Sequence, residues 1–339
     1  MNRSALLRLG IGILISVVFL AATLSQVDLA KVARTITDAS PAWLLIALGI
    51  VVVDLGLRAL RWQVLLRGIP GAATKAPYNL AVGYLMIGFT LNAILPARLG
   101  DIARAILAGN GFRIPRLAVF GTILIERFSD GLTMLGLALL SSVIVAAGIA
   151  ELRQLAIFAI GAGIAGLIAL GIFLVIITRP RVRATRLGAL VFGLVGRVAV
   201  GGGALRTIRG AATVLLLTAA CTTTAILVAW AVSNSVGLDL APVEVVLFLS
   251  GIALSLAIPA APGALGTYEF VGTAIVTSLG YPAELGLATI LLMRFITVFP
   301  PALAGLVSLF VLQVRPTDIV HAAEAPDEVA SGTETEPAR

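Results

Sequence analysis

Long apolar runs separated by short polar clusters organise the whole chain. Six of them, residues 5–24, 43–66, 117–148, 155–178, 211–233 and 285–314, stand out by length. A helix needs about 20 predominantly apolar residues to cross a bilayer, so each run is predicted to be a transmembrane helix. The first has Arg3 and Arg8 ahead of it. Its apolar run exceeds a signal-peptide core and offers no convincing cleavage site, so it is expected to be a retained helix.

Two further apolar regions, residues 78–110 and 243–280, are broken at their centres by Pro96 with Gly100 and by Pro259, Pro262, Gly263 and Gly266. Proline removes a backbone donor, and a broken helix at membrane depth survives only where protein or a polar cavity satisfies the freed groups. The pattern therefore predicts two re-entrant helical hairpins with those residues at their tips.

An internal repeat links the two regions. TILIERF (122–128) and TILLMRF (289–295) agree at five of seven positions and lie 167 residues apart. Pro115 and Pro282 keep that offset, and Gly88, Leu91 and Pro96 match Gly251, Leu254 and Pro259 in spacing. Three spans separate the hairpins, so the copies, at about residues 78–148 and 243–314, are expected to be inverted. Secondary transporters built this way place their substrate site near the midplane, where broken helices meet. The fold class expected is thus an all-α polytopic membrane protein of six full spans plus two re-entrant hairpins.

Composition agrees: 59% of the 339 residues are hydrophobic and the mean hydropathy is +1.08. Cys221 and His321 are single, which excludes an internal disulfide, Cys/His zinc sites and the usual nucleophile and base pairings. No metal and no cofactor is expected. The net charge of +7 rests on Arg residues beside apolar runs, which favours a membrane surface over nucleic acid as the partner. Lys and Arg concentrate before residue 9, around residues 67–75 and 113–116, and over 179–209. That bias predicts cytoplasmic N- and C-termini in a bacterial-type inner membrane, with the 179–209 stretch as a surface helix or loop against anionic headgroups. Residues 315–339 carry two Arg against six carboxylates and few apolar residues, and are expected to be a disordered cytoplasmic tail.

The remaining charges fall inside the membrane. At 1.5 Å per residue, Arg127 lies about 15 Å and Arg294 about 14 Å into their helices, near the bilayer centre from opposite sides. Unpaired, Glu126, Arg127, Asp130 and Arg294 would together cost roughly 10 kcal/mol. Either Arg127 pairs with Asp130 at i, i+3 and braces the bundle, or the Arg residues line a pathway for an anionic group. In ILPARLGDIAR (94–104) the first hairpin turns and its returning helix starts, so backbone N–H groups with Arg98 and Arg104 make a candidate phosphate site. Asp101 either caps that helix or pairs with Arg127. Glu269, beside Tyr268, is within reach of Arg294. Asp54, Arg58 and Arg61 share one helix face, Asp54 needing a partner and the two Arg expected to snorkel to the surface. Trp43 and Trp62 fit interfacial anchors, and Asn92 is suited to satisfy broken-helix backbone.

The combination RALRWQVLL (58–66), LPARLGDIAR (95–104), ERFSD (126–130), PGALGTYE (262–269) and Arg294 resembles the lysylphosphatidylglycerol synthase transmembrane region family. This is the flippase-like domain found at the N-terminus of multiple peptide resistance factors and as stand-alone proteins. The resemblance covers nearly all of residues 1–314 and departs from the family pattern at Asp101, where Glu is commoner. It implies movement of an anionic or aminoacylated phospholipid of the phosphatidylglycerol type between leaflets. The soluble aminoacyl-transferase domain has no counterpart in the 25 residues after Val314, so lysyl transfer by this chain is not expected.

A lipid flippase and not an enzyme is therefore the leading expectation. Arg98, Arg104, Arg127 and Arg294 would pass the headgroup, and Asp101, Glu126, Asp130 and Glu269 would keep them oriented. No Walker A sequence is present, so ATP is not the expected driver. The alternatives are a membrane scaffold or accessory subunit for a glycosyltransferase or lipid-synthesis enzyme, a transporter of polyprenyl-linked lipid, and an intramembrane lipid-phosphate enzyme. Expected partners are anionic phospholipids, with a lipid aminoacyl-transferase, a glycosyltransferase or a homo-oligomer left open.

Overall fold

A computed structural model describes residues 3–72, 76–95, 98–146, 186–256 and 264–314, and among these every regular element is helical. The elements are α1 (Arg3–Leu24), α2 (Leu29–Thr37), α3 (Pro41–Arg67), α4 (Tyr78–Ile94), α5 (Leu99–Phe112) and α6 (Arg116–Ala146). There follow α7 (Arg186–Ala199), a 3-10 segment (Val200–Arg206), α8 (Ile208–Ser235), α9 (Pro242–Ser255), α10 (Thr267–Ser278) and α11 (Ala283–Val311). Helices α3, α6, α8 and α11 are each long and apolar enough to cross a membrane, and α1 with α2, bent at 82°, adds a fifth candidate. Among the described residues, Leu215 and Leu216 are 71% and 70% exposed and Phe310 87%, an outward apolar surface of the kind a lipid environment accommodates.

These results match four expected spans directly. The run at 5–24 forms α1, whereas that at 155–178, together with Pro96, Pro259, Pro262, Gly263 and the acidic tail, lies outside the described residues. Helix α2 follows the bend after α1; Asp28 starts it by accepting hydrogen bonds from the Ala30 and Lys31 amides. Both broken regions are a helix, a break and a second helix. Prolines at the first turn of α3 and α9 and immediately before α6 and α11 sit where missing donors cost nothing, whereas Pro300 and Pro301 lie inside α11 and each removes a helical donor.

Helix α5 folds back on α4. Gly100 lies against the backbone of Gly88 and Asn92, Arg104 against Gly88, and Gly111 against Tyr84, so one number rises as the other falls. A Cβ at Gly100 would stand 2.2 Å from the Gly88 carbonyl oxygen, and glycine alone permits that approach. Helices α9 and α10 pair likewise, through Gly251 with Ile275 and Gly272 with Ile252.

Helix packing is reciprocal. Helix α3 runs antiparallel along α8, with Trp43 meeting Trp230 at one end and Arg61 meeting Thr218 at the other. Helix α4 packs on α11 while α9 packs on α6, and α5 packs on α6 while α10 packs on α11. Exchanging α3, α4, α5 and α6 with α8, α9, α10 and α11 reproduces the same set of packed pairs. Two apolar cores result. One gathers Trp62, Leu66, Leu85, Phe112 and Ile123 around the first hairpin, and the other gathers Val51, Val228, Phe248, Val276 and Ile290 around the second. Helix α3 feeds both, and its charged stretch lies between them.

Candidate functional site

Between the two cores lies a cavity of about 580 Å³, lined from both halves of the chain. Its polar groups include Asp54, Arg58, Asn92, Arg98, Arg127, Asp130, Tyr268 and Arg294. Apolar side chains such as Phe89, Met134 and Leu249 complete the wall.

Position along each helix explains why these charges meet. Asp101 is the third residue of α5 and Glu269 the third of α10, while Arg127 and Arg294 are each the twelfth of the long helix that follows. Two equivalent ion pairs form. Arg127 grips Asp101 through Nη2–Oδ1 at 2.9 Å and Nε–Oδ2 at 3.2 Å, and Arg294 Nη2 stands 2.9 Å from Glu269 Oε1. The Arg294 guanidinium also lies over the Tyr268 ring at 4.7 Å, a cation–π contact. Glu269 has a second task, accepting from the Gly266 amide at 2.7 Å to cap α10. Asn92 supports the first pair by donating to Asp101 Oδ1 at 3.0 Å.

Arg98 differs from the others. It is exposed, lines the cavity, and makes no ion pair among the described residues. Its backbone holds a left-handed φ of 55° at the start of α5, where the second hairpin has Gly266 at 86°. A side-chain-bearing residue in that region costs about 1–2 kcal/mol, strain of the kind that persists at functional sites.

From Asp54, Arg58 and Asp130 in the cavity wall to Arg61, Arg104 and Glu126 behind it, an ionic ladder ties α3 to α5 and α6. Asp54 accepts from Thr224 at 2.7 Å and from Arg58 at 2.6 Å, and Arg58 Nη1 approaches Asp130 at 3.8 Å. Arg61 clamps Asp130 with two hydrogen bonds of 2.5 and 3.0 Å and faces Glu126 at 3.6 Å. Glu126 also accepts from Arg104, whose guanidinium stacks 4.0 Å over Trp62. Arg61, Arg104 and Glu126 are 2%, 1% and 4% exposed, so each would be costly to bury alone. Against Asp54, Asp101, Glu126, Asp130 and Glu269, the six guanidinium groups of Arg58, Arg61, Arg98, Arg104, Arg127 and Arg294 leave one positive charge in excess.

One alternative is decided and three expectations need correction. Arg127 pairs with Asp101 and not with Asp130, because Asp130 turns to α3 and is taken by Arg61. Arg58 and Arg61 do not snorkel; carboxylates inside the bundle hold them. Arg104 faces Glu126 in the packed interior and is not among the residues that line the cavity, unlike Arg98, Arg127 and Arg294. Trp62 is no interfacial anchor: it is fully buried, donates to Thr122 Oγ1 at 3.0 Å and carries Arg104 on its face. Pairing of Asp101 with Arg127 and of Glu269 with Arg294 follows the sequence expectation. Thr218, Thr222 and Thr224 on α8 were missed, although a cluster of hydroxyls within an apolar span was a readable signal.

Comparison with known proteins adds two findings. A family model described as Lysylphosphatidylglycerol synthase TM region matches residues 9–305. Glycosyltransferase AglD of Haloferax volcanii is 35% identical over 127 residues, a stretch that makes up 38% of this chain and 20% of that protein.

Proposed function

The chain belongs to the lysylphosphatidylglycerol synthase TM region family, and on that footing we propose that it is a lipid flippase or transporter that carries an anionic headgroup past Arg98, Arg127 and Arg294. The observation that carries this reading is a cavity between two reciprocally packed sets of helices, set in a cluster of intramembrane charges with one guanidinium in excess. An anion fits that excess, and a phospholipid of the phosphatidylglycerol type supplies it. Asp101 and Glu269 hold the two equivalent Arg residues in place and exchange them with the phosphate as the headgroup moves. Arg104, Glu126 and Arg61 act from behind, with Asp130 in the cavity wall, fixing the first hairpin to α3 and α6.

Reciprocal packing, with α3 antiparallel to its counterpart α8, supports the inverted repeat and two re-entrant hairpins of opposite entry. Both termini are then cytoplasmic, in a bacterial-type plasma membrane. The chain acts as a transporter and not as an enzyme.

Leaflet exchange of fluorescent phosphatidylglycerol in reconstituted liposomes tests the proposal. Wild type is expected to exchange the lipid, and Arg127→Ala and Arg294→Ala, once shown to be folded, to lose exchange. A folded wild type that moves neither phosphatidylglycerol nor its lysylated form overturns the phospholipid assignment.

A second reading rests on the similarity to a protein named as a glycosyltransferase. Here the chain is an accessory subunit for such an enzyme or moves a polyprenyl-linked lipid to it. In an accessory role, Arg98→Ala would leave the partner's activity intact while abolishing nothing measurable in liposomes.

A further inference from the structure

A second concavity, of about 970 Å³, lies on the other side of Arg127, between α6, the 3-10 segment and α8. Its walls are apolar. Leu124, Phe128 and Leu132 on α6, Leu205 and Leu215 are each more than 40% exposed there, with no apolar packing partner filling the space among the described residues. The hydroxyls along it are already committed: Ser129 donates to the Glu126 carbonyl at 2.9 Å, Thr133 to the Ser129 carbonyl at 2.8 Å, and Thr218 accepts from Arg61. Arg127 is the one charged side chain among the described residues that line both this groove and the polar cavity.

Length narrows the occupant. The groove follows α6 from Gly121 to Thr133, about 18 Å at 1.5 Å per residue, against about 15 Å for one leaflet of hydrocarbon. An acyl chain is the apolar ligand of that length in a membrane. It is also the one joined to a phosphate, which Arg127 faces through the shared wall.

We infer that this groove binds an acyl chain of the same lipid whose anionic headgroup enters the cavity, with Arg127 at the junction. The inference rests on the proposed lipid pathway. The headgroup travels through the polar interior and the chain stays in the groove, so the apolar tail is never carried through a charged space. Gly202 forms part of the floor: a Cβ there would meet only Ile125 Cδ1 at 3.6 Å, so a larger side chain fills the groove without striking backbone.

The test uses the full chain in liposomes containing phosphatidylglycerol with a photoactivatable diazirine on one acyl chain, read by mass spectrometry. Labelling is expected on residues 124–132 and 202–205 in excess of the lipid-facing end of α11. Gly202→Leu and Leu215→Trp are expected to lower that labelling, and exchange of the long-chain lipid, by about tenfold. Binding of water-soluble glycerophosphoglycerol, the headgroup without its chains, is expected to be unchanged in both variants. Labelling no greater in the groove than along α11, or unchanged by both substitutions, overturns the inference and leaves the groove to a second copy or to residues 147–185. Groove labelling that persists while wild type exchanges no lipid keeps the acyl site and removes the transport reading instead.

Discussion

Glu126 holds two guanidinium groups, Arg61 and Arg104, at 4% exposure. Removing one carboxylate therefore strands two buried cations, and breaking even one buried pair costs about 3–5 kcal/mol. Glu126→Ala is expected to lower the melting temperature in detergent markedly; a stability equal to wild type would refute the ladder as a structural element. Arg98 sets the opposite case. Its left-handed backbone is strained and its side chain unpaired among the described residues, so Arg98→Gly is expected to stabilise the fold by about 1 kcal/mol. The same substitution should slow lipid exchange severalfold. Loss of stability together with exchange would mean that Arg98 serves packing.

At the scale of elements, the two hairpins share a plan but differ in attachment. The first is fastened by the Arg127–Asp101 pair and also, through Arg104, by the Glu126, Arg61 and Asp130 ladder. In the second, the positions that follow the repeat spacing are Met293 for Glu126 and Thr297 for Asp130, which carry no charge, and among the described residues Arg294 with Glu269 joins α10 to α11. Helices α9 and α10 are therefore expected to exchange amide hydrogens faster than α4 and α5 in lipid nanodiscs; the reverse order would contradict a ladder-fixed first hairpin. The 3-10 segment makes a sharper case. A Cβ at Gly201 would fall 2.4 Å from the Ala118 carbonyl and one at Gly203 1.9 Å from that of Gly68, whereas Gly202 has room. Gly201→Ala and Gly203→Ala are expected to destabilise by about 1–3 kcal/mol through overpacking and Gly202→Ala to be neutral, as measured by thermal unfolding.

For the whole molecule, the exchange of four helices with four others predicts opposite membrane sides for corresponding loops. A cysteine at Asn110, exposed at the end of α5, should react with an impermeant maleimide only from the cytoplasm. One at Asp239, exposed beyond α8, should react only from outside, with the buried native Cys221 silent. Labelling of both from one side would exclude the inverted arrangement. Much of this architecture was legible beforehand. The long apolar runs became α3, α6, α8 and α11, the proline and glycine breaks separated α4 from α5 and α9 from α10, and the TILIERF and TILLMRF repeat placed Arg127 and Arg294 at the same helical depth. These are local properties: span length, a missing donor and a repeat in register are written in neighbouring residues.

Sequence by itself thus determined an all-helical membrane chain whose intramembrane charges had to be paired, because hydrocarbon cannot solvate them. Which partners they took was decided only by tertiary packing. Arg61 finds Asp130 across 69 residues and Asp54 meets Thr224 across 170. The spacing left Arg127 open to Asp130 or to Asp101, and the direction of α3 past α6 gave Asp130 to Arg61 and Arg127 to Asp101. Likewise the cavity, the groove behind Arg127 and the glycine-floored 3-10 segment exist only once distant helices meet. Helical periodicity says which residues share a face, but the neighbour that face encounters depends on packing across the whole bundle.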